Sequence, residues 1–183
     1  MTGCAMVNQY SQNPLPACSA PGRNSMLAAA IFEELSMSDK PMVAAIEGWH
    51  TMDTREPHLI GTRCTKCGTY FFPKQDTYCK NPNCDSTEFE EVELSRTGKV
   101  WSYTNACYQP PEPFVAPDPF EPYALVAVEL EKEKMVIMGQ AADGLGVDDL
   151  KVGMDMELVL QPLHEDEEDI KITWKWKPAE ASA

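Results

Sequence analysis

Cys64-Thr65-Lys66-Cys67-Gly68 and Cys79-Lys80-Asn81-Pro82-Asn83-Cys84 are the two stretches whose reading decides the fold. The two-residue gap in the first lets both thiolates reach one ion, and Gly68 permits the backbone turn that presents amide N–H groups to sulfur. The second has four intervening residues, still within ligand spacing. Eleven residues separate the halves, among them Tyr70, Phe71, Phe72 and Pro73, an apolar strand suited to covering the metal from one side. Two such halves predict a rubredoxin-like four-cysteine zinc ribbon over residues 61–91, with Cys64, Cys67, Cys79 and Cys84 as ligands. Four thiolates leave a tetrahedral ion no position for water. The zinc, one per chain, is therefore expected to be structural, adding roughly 10 kcal/mol or more to the folding of so small a module. An iron centre of the rubredoxin kind would use the same sulfurs, but nothing else in the chain points to electron transfer. His50 and His58 flank the cluster and find a tetrahedral site already filled.

Downstream of the ribbon the pattern changes to short apolar or alternating runs: Val92–Leu94, Lys99–Ala106, Tyr123–Glu131, Met135–Ala141, Met156–Gln161 and Ile170–Trp176. Breakers separate them at Thr97-Gly98, Glu131–Lys134, Asp143-Gly144 and the acidic Glu165–Asp169 segment. Five or six strands with no long helix predict a small OB-type β-barrel over residues 92–178, followed by a tail at 179–183. Asp148-Asp149-Leu150 is enough for one helical turn before the strand near Met154. The segment Gln109–Pro122 holds six prolines and reads as a stiff arm.

Upstream, Val43, Ile46, Trp49 and Met52 fall at helical spacing, so residues 37–60 are expected to form a helical segment, with Trp49 a packing residue. Residues 1–36 read as a tail, disordered or loosely attached, in which Ser25 could cap a short helical pattern with Met26, Leu27, Ala30, Ile31 and Leu35 on one stripe.

The 183 residues carry 29 Asp and Glu against 15 Lys and Arg, a formal charge of -14. A phosphate backbone requires clustered bases, and residues 108–183 hold 17 acids against 6 bases, so nucleic acid is not an expected partner. No run reaches the roughly 20 apolar residues of a membrane helix, and the N-terminus lacks a basic-then-apolar order, which points to the cytoplasm. Seven cysteines, four of them clustered, suit a reducing compartment better than a disulfide framework.

A catalytic apparatus is hard to assemble. Cys107 ends a strand with no acid or histidine near it in sequence and reads as a buried structural cysteine. His164 stands beside the five acids Glu165–Asp169, most simply a solvated loop. No phosphate loop, paired-histidine metal helix or nucleophile elbow occurs. Binding and scaffolding roles remain. A free-standing acyl-CoA-binding module would need bases for the nucleotide phosphates, and Lys171, Lys175 and Lys177 are the cluster on offer, alternating with Ile170, Ile172, Trp174 and Trp176 as in a half-buried strand.

The order of parts, together with Gly98-Lys99-Val100-Trp101-Ser102-Tyr103-Thr104, Pro122-Tyr123-Ala124-Leu125-Val126-Ala127-Val128-Glu129-Leu130 and Asp149-Leu150-Lys151-Val152-Gly153-Met154, resembles the acyl-CoA-associated zinc-ribbon/OB-fold proteins that accompany thiolases, thiolase-like aldolases and related synthases. The resemblance spans about residues 42–178. It implies a subunit with no catalytic residues of its own that grips a thiolase-fold catalytic partner, stabilises it and helps shape the entrance for a coenzyme A ester at or near the interface. In such an assembly Tyr108, Phe114, Val115 and Phe120, apolar groups set among prolines, are the expected partner-binding residues. The alternative is that Phe114 and Phe120 fold back to plug the end of the barrel.

Overall fold

The computed structural model describes residues 40–110, 115 and 119–179. Among these residues nine strands form two sheets: β1 (Met42–Ala44), β2 (Ile60–Cys64), β3 (Tyr70–Phe71), β4 (Phe89–Glu93), β5 (Thr97–Ala106), β6 (Tyr123–Leu130), β7 (Met135–Ala141), β8 (Asp155–Glu165) and β9 (Ile170–Pro178). β3, β2 and β4 make the antiparallel ribbon sheet. The barrel closes in the order β5-β6-β7-β9-β8 and back to β5, all contacts antiparallel except β7 with β9. This is the mainly β architecture expected, a zinc ribbon followed by an OB-type barrel. A single 3-10 turn, Val147–Asp149, occupies the predicted helical turn.

The barrel strands alternate as a closed sheet requires. Along β6, Ala124, Val126, Val128 and Leu130 point inward and are buried, while Tyr123, Leu125, Ala127 and Glu129 face out. Ile137, Ala141, Met156, Leu158 and Trp176 complete the interior. Leu59 and Leu94, fully buried, join this same core from the ribbon side, with Tyr70, Phe72 and Val92 packed against it. The two modules therefore share one hydrophobic core.

Three expectations need correction. Residues 40–60 contain no helix. β1 instead adds parallel to β9 with Met42 opposite Ile170, and Trp49–Leu59 folds back on itself, Thr51 N–H bonding His58 O and Ile60 N–H bonding Trp49 O. The apolar spacing was weak, and Pro41, which lacks an N–H, fits the start of an edge strand whose pairing supplies more than helix propensity. Trp49 does pack, edge-on to Phe72 at 5.5 Å between centroids. Second, the run Val92–Leu94 belongs to the ribbon: β4 pairs with β2, Gly61 opposite Val92, and Leu94 N–H bonds Leu59 O. Third, β8 continues past Gln161 to Glu165. Pro162 masked this extension, and the structure accommodates it at a register shift between Pro162 and His164.

The remainder of the acidic run forms the tip between β8 and β9, where Asp166 Oδ1 accepts from the amides of Glu168 and Asp169. These two bonds hold the Asp166 carboxyl below its ordinary range. Among the described residues no helix is long and apolar enough to cross a membrane. The tails at 1–36 and 180–183 lie outside the described residues.

β5 can approach β6 closely because Gly98 has no side chain: a Cβ there would stand 2.4 Å from Glu129 O and 2.6 Å from Val128 Cγ1. The obstacle is backbone and cannot rotate away. Gly98→Ala is expected to lower the stability of the chain by about 1–3 kcal/mol through overpacking, measured by urea unfolding, while the zinc content stays unchanged.

Candidate metal centre

Cys64 is the last residue of β2, and the chain turns back immediately: Gly68 N–H bonds Cys64 O and Cys64 N–H bonds Thr69 O, each at 2.9 Å. Gly68 makes this turn with φ of 74°, a left-handed value that a side chain would strain. The second half is built differently. Asn81–Cys84 is a β-turn, Cys84 N–H bonding Asn81 O at 2.9 Å, with Pro82 and Asn83 in the two central positions and Asn81 Oδ1 accepting from the Asn83 amide. The two additional residues of the wider gap are thus absorbed in a turn. Asn81 Nδ2 also reaches Thr69 Oγ1 at 3.3 Å, tying one half to the other.

All four sulfurs lie within 4.8 Å of one another, with Cys64 Sγ 3.8 Å from Cys84 Sγ and Cys67 Sγ 3.5 Å from Cys79 Sγ. A tetrahedral ion with metal–sulfur bonds near 2.3 Å needs sulfurs about 3.8 Å apart, so the set fits zinc without rearrangement. Neither His50 nor His58 belongs to it. His50 is buried with Nδ1 donating to Thr51 O, and His58 Nδ1 pairs with Leu94 O.

The electrostatics of the four clustered thiols suit a cation. The Thr69 hydroxyl, 3.2 Å from Cys67 Sγ, and the Thr69 amide hold the Cys67 thiol down at about 6. Burial pushes the Cys79 thiol up to about 12. Four thiols this close cannot all ionise in the absence of a neutralising charge, whereas a dication at their centre stabilises every thiolate. With four sulfur ligands the ion would polarise nothing and would brace the fold.

The remaining singled-out residues are dispersed. Cys107, expected in the core, is exposed just beyond the end of β5. β8 pairs with β5 only at Thr97–Lys99, so among the described residues the closed part of the barrel ends before Cys107. Lys171 pairs with Asp169 at 2.8 Å, Lys177 with Glu157 at 3.5 Å, and buried Lys175 with Asp143. Each candidate phosphate-binding lysine already has a carboxylate. Of the arm residues, Tyr108 is 77% exposed and Val115 54%, Phe120 is half-buried with its ring edge-on to Tyr123 at 6.3 Å, and Phe114 lies outside the described residues.

Protein purified without chelators is expected to carry one zinc per chain by elemental analysis. Cys84→Ser should lose the metal and most of the roughly 10 kcal/mol it adds to the ribbon. Less than half an equivalent of any metal in the unaltered protein would refute the site.

Residues 53–90 match the family model described as "ChsH2, rubredoxin-like zinc ribbon domain", and residues 91–161 match "ChsH2, C-terminal OB-fold domain". A "DUF35 domain-containing scaffold protein" of Methanocaldococcus jannaschii is 41% identical over 128 residues, 67% of this chain and 82% of that protein. The "Benzoylsuccinyl-CoA thiolase subunit BbsA" of Geobacter metallireducens is 32% identical over 122 residues, 66% of this chain and 75% of that protein. Among solved structures, a chain of the "Ltp2-ChsH2(DUF35) aldolase" is similar with a TM-score of 0.48 at 30% identity, covering 66% of this chain and 84% of that one. From the four-cysteine ribbon through the closed barrel, the chain belongs to the DUF35 family of ChsH2-type zinc-ribbon and OB-fold scaffold proteins.

Proposed function

We propose that this chain is the non-catalytic zinc-binding subunit of a thiolase-type acyl-CoA enzyme complex, where it stabilises the catalytic subunit and helps shape its acyl-CoA site. The observation that carries this reading is the extent of likeness to the Geobacter thiolase subunit, which takes in 66% of this chain and leaves out only a quarter of that protein. The chemistry of the chain is consistent with it. Its four clustered thiols suit a saturated structural metal, and thiolytic cleavage needs a nucleophilic cysteine, a second cysteine for proton transfer and positioned histidines. In this reading those groups belong to the partner. The finer form of the proposal is that the complex cleaves benzoylsuccinyl-CoA with coenzyme A to benzoyl-CoA and succinyl-CoA, a step in anaerobic breakdown of an aromatic compound; the name of the Geobacter relative supports its thiolase part.

The partner is held in part by the proline-rich arm. Tyr108 and Val115 offer apolar surface to water, and prolines lower the entropic cost of ordering it. Phe120 has a divided role, since one edge of its ring already rests on Tyr123. Phe114 is proposed as an anchor on its sequence position alone.

The isolated chain is expected to show no thiolytic or transfer activity toward acyl-CoA substrates, with turnover appearing only beside a thiolase-fold subunit that co-purifies from native cells. Robust turnover by the chain alone, abolished by Cys107→Ala, would overturn the reading. Tyr108→Ala combined with Val115→Ala should leave the melting temperature of the chain unchanged and weaken partner binding by about 2 kcal/mol, the scale of an interface hot spot. Titration calorimetry against the co-purified subunit measures this.

A further inference from the structure

β5 has two different edges. Along one it pairs with β6 from Lys99 opposite Glu129 through to Ala106 opposite Tyr123. Along the other it pairs with β8 only at Thr97–Lys99, followed by the exchange of Val100 N–H with Met154 O and Gly153 N–H with Val100 O. Beyond that point no strand among the described residues lies beside Ser102–Ala106. Trp101, Ser102, Tyr103 and Thr104 are four consecutive exposed residues, Trp101 to 61%, so both faces of this half-strand are open as well as its edge. Val100 directs its main-chain groups toward the β8 side. The strand carries one extra residue between Val100 and Ser102, and past it the alternation turns the main-chain groups of Tyr103 and Asn105 to that same side.

Open edges are ordinarily guarded by charges, proline or shortness, because they template pairing with other chains. Three of the other open edges among the described strands follow that rule, whereas the edge of β7 over Met135–Gly139, beyond its two pairs with β9, does not. β4 carries Glu90, Glu91 and Glu93, the far half of β8 carries Pro162, His164 and Glu165, and β1 is three residues long. The free half of β5 has no such guard. From Val100 to Pro111 the sequence contains no charged side chain, in a protein with a formal charge of -14. The 3-10 turn Val147–Asp149 lies against β5, and its Asp148 and Asp149 are exposed.

We infer that the free edge of β5, Ser102–Ala106, is a main-chain docking site that takes an extended strand of the catalytic partner, with Lys or Arg on that strand meeting Asp148 and Asp149 and apolar residues lying against Trp101 and Tyr103. This inference rests on the partner-subunit role proposed above and names where that partner is held. Charge selects the occupant. A second copy would bring another -14 and a second Asp148-Asp149 pair to the junction, whereas a basic strand is attracted to it. Main-chain bonds hold such a strand, and the side chains on alternate positions give it specificity.

Hydrogen–deuterium exchange on the chain, alone and in complex with the thiolase-fold subunit that co-purifies with it, tests the inference. Amides in 101–106 should exchange rapidly in the isolated chain and slow at least tenfold in the complex, with β9 unchanged. Tyr103→Pro, which removes a donor from the open edge, should weaken complex formation at least tenfold, while Tyr103→Phe binds normally and both fold with bound zinc. A complex that forms with exchange in 101–106 unaltered would overturn the docking site and leave the subunit role standing. Failure of any thiolase-fold subunit to associate would instead overturn the role itself. Protection already present in the isolated chain would overturn the inference too, assigning the edge to a second copy if it rises with concentration and to the chain's own arm if it does not.

Discussion

Trp174 is where the two modules become one structure. Its ring stands 5.8 Å from Phe72 of the ribbon and 5.9 Å from Trp49 of the preceding segment, with His50 at 6.2 Å, while its strand lies in the barrel wall between β7 and β8. A three-stranded ribbon of this size buries little apolar surface of its own and depends on its metal and on its neighbours to fold. It borrows the core of the barrel through Leu59, Leu94, Phe72 and this aromatic seam. The arrangement has a close fit elsewhere: a Cβ on Gly139 of β7 would stand 2.9 Å from both the Trp174 and Trp176 rings. The indoles therefore occupy space that only a glycine vacates.

A scaffold that shares one core between metal module and barrel keeps its surfaces in a fixed relation to each other. Charge is spread unevenly over those surfaces. Most ion pairs lie on exposed strands and turns, where each is worth little, while the buried Lys175 is matched to Asp143 and would be costly to leave alone. The neutral stretch from Val100 onward stands apart from this background, and over Ser102–Ala106 it pairs with β6 alone among the described strands.

The candidate ligand set was legible in the sequence because it depends on spacing within two short segments. Cys64, Cys67, Cys79 and Cys84 converge as the knuckle pattern requires, and the wider second gap closes through a turn that Pro82 and Asn83 encode locally. Five barrel strands were legible for a similar reason: alternation along β6, β7 and β9 is a local signature of a surface with one wet and one dry face.

What the sequence determined by itself, then, was whatever depends on neighbours a few residues away: the ligand set, the alternating strands, the turns between them and the acidic balance. The tertiary structure decided what depends on distant partners. Residues 40–60 have apolar positions that suit a helix about as well as a strand, and pairing of Met42–Ala44 with Ile170–Ile172, some 130 residues away, settled the matter. Val92 could serve a barrel or a ribbon until β2 was seen beside it. Cys107 looked like a core residue because its strand is apolar, and only the early departure of β8 from β5 shows that, among the described residues, the closed part of the barrel ends before it. An exposed edge is likewise invisible in one dimension, because the pattern of a strand records its faces and says nothing of which neighbour is missing.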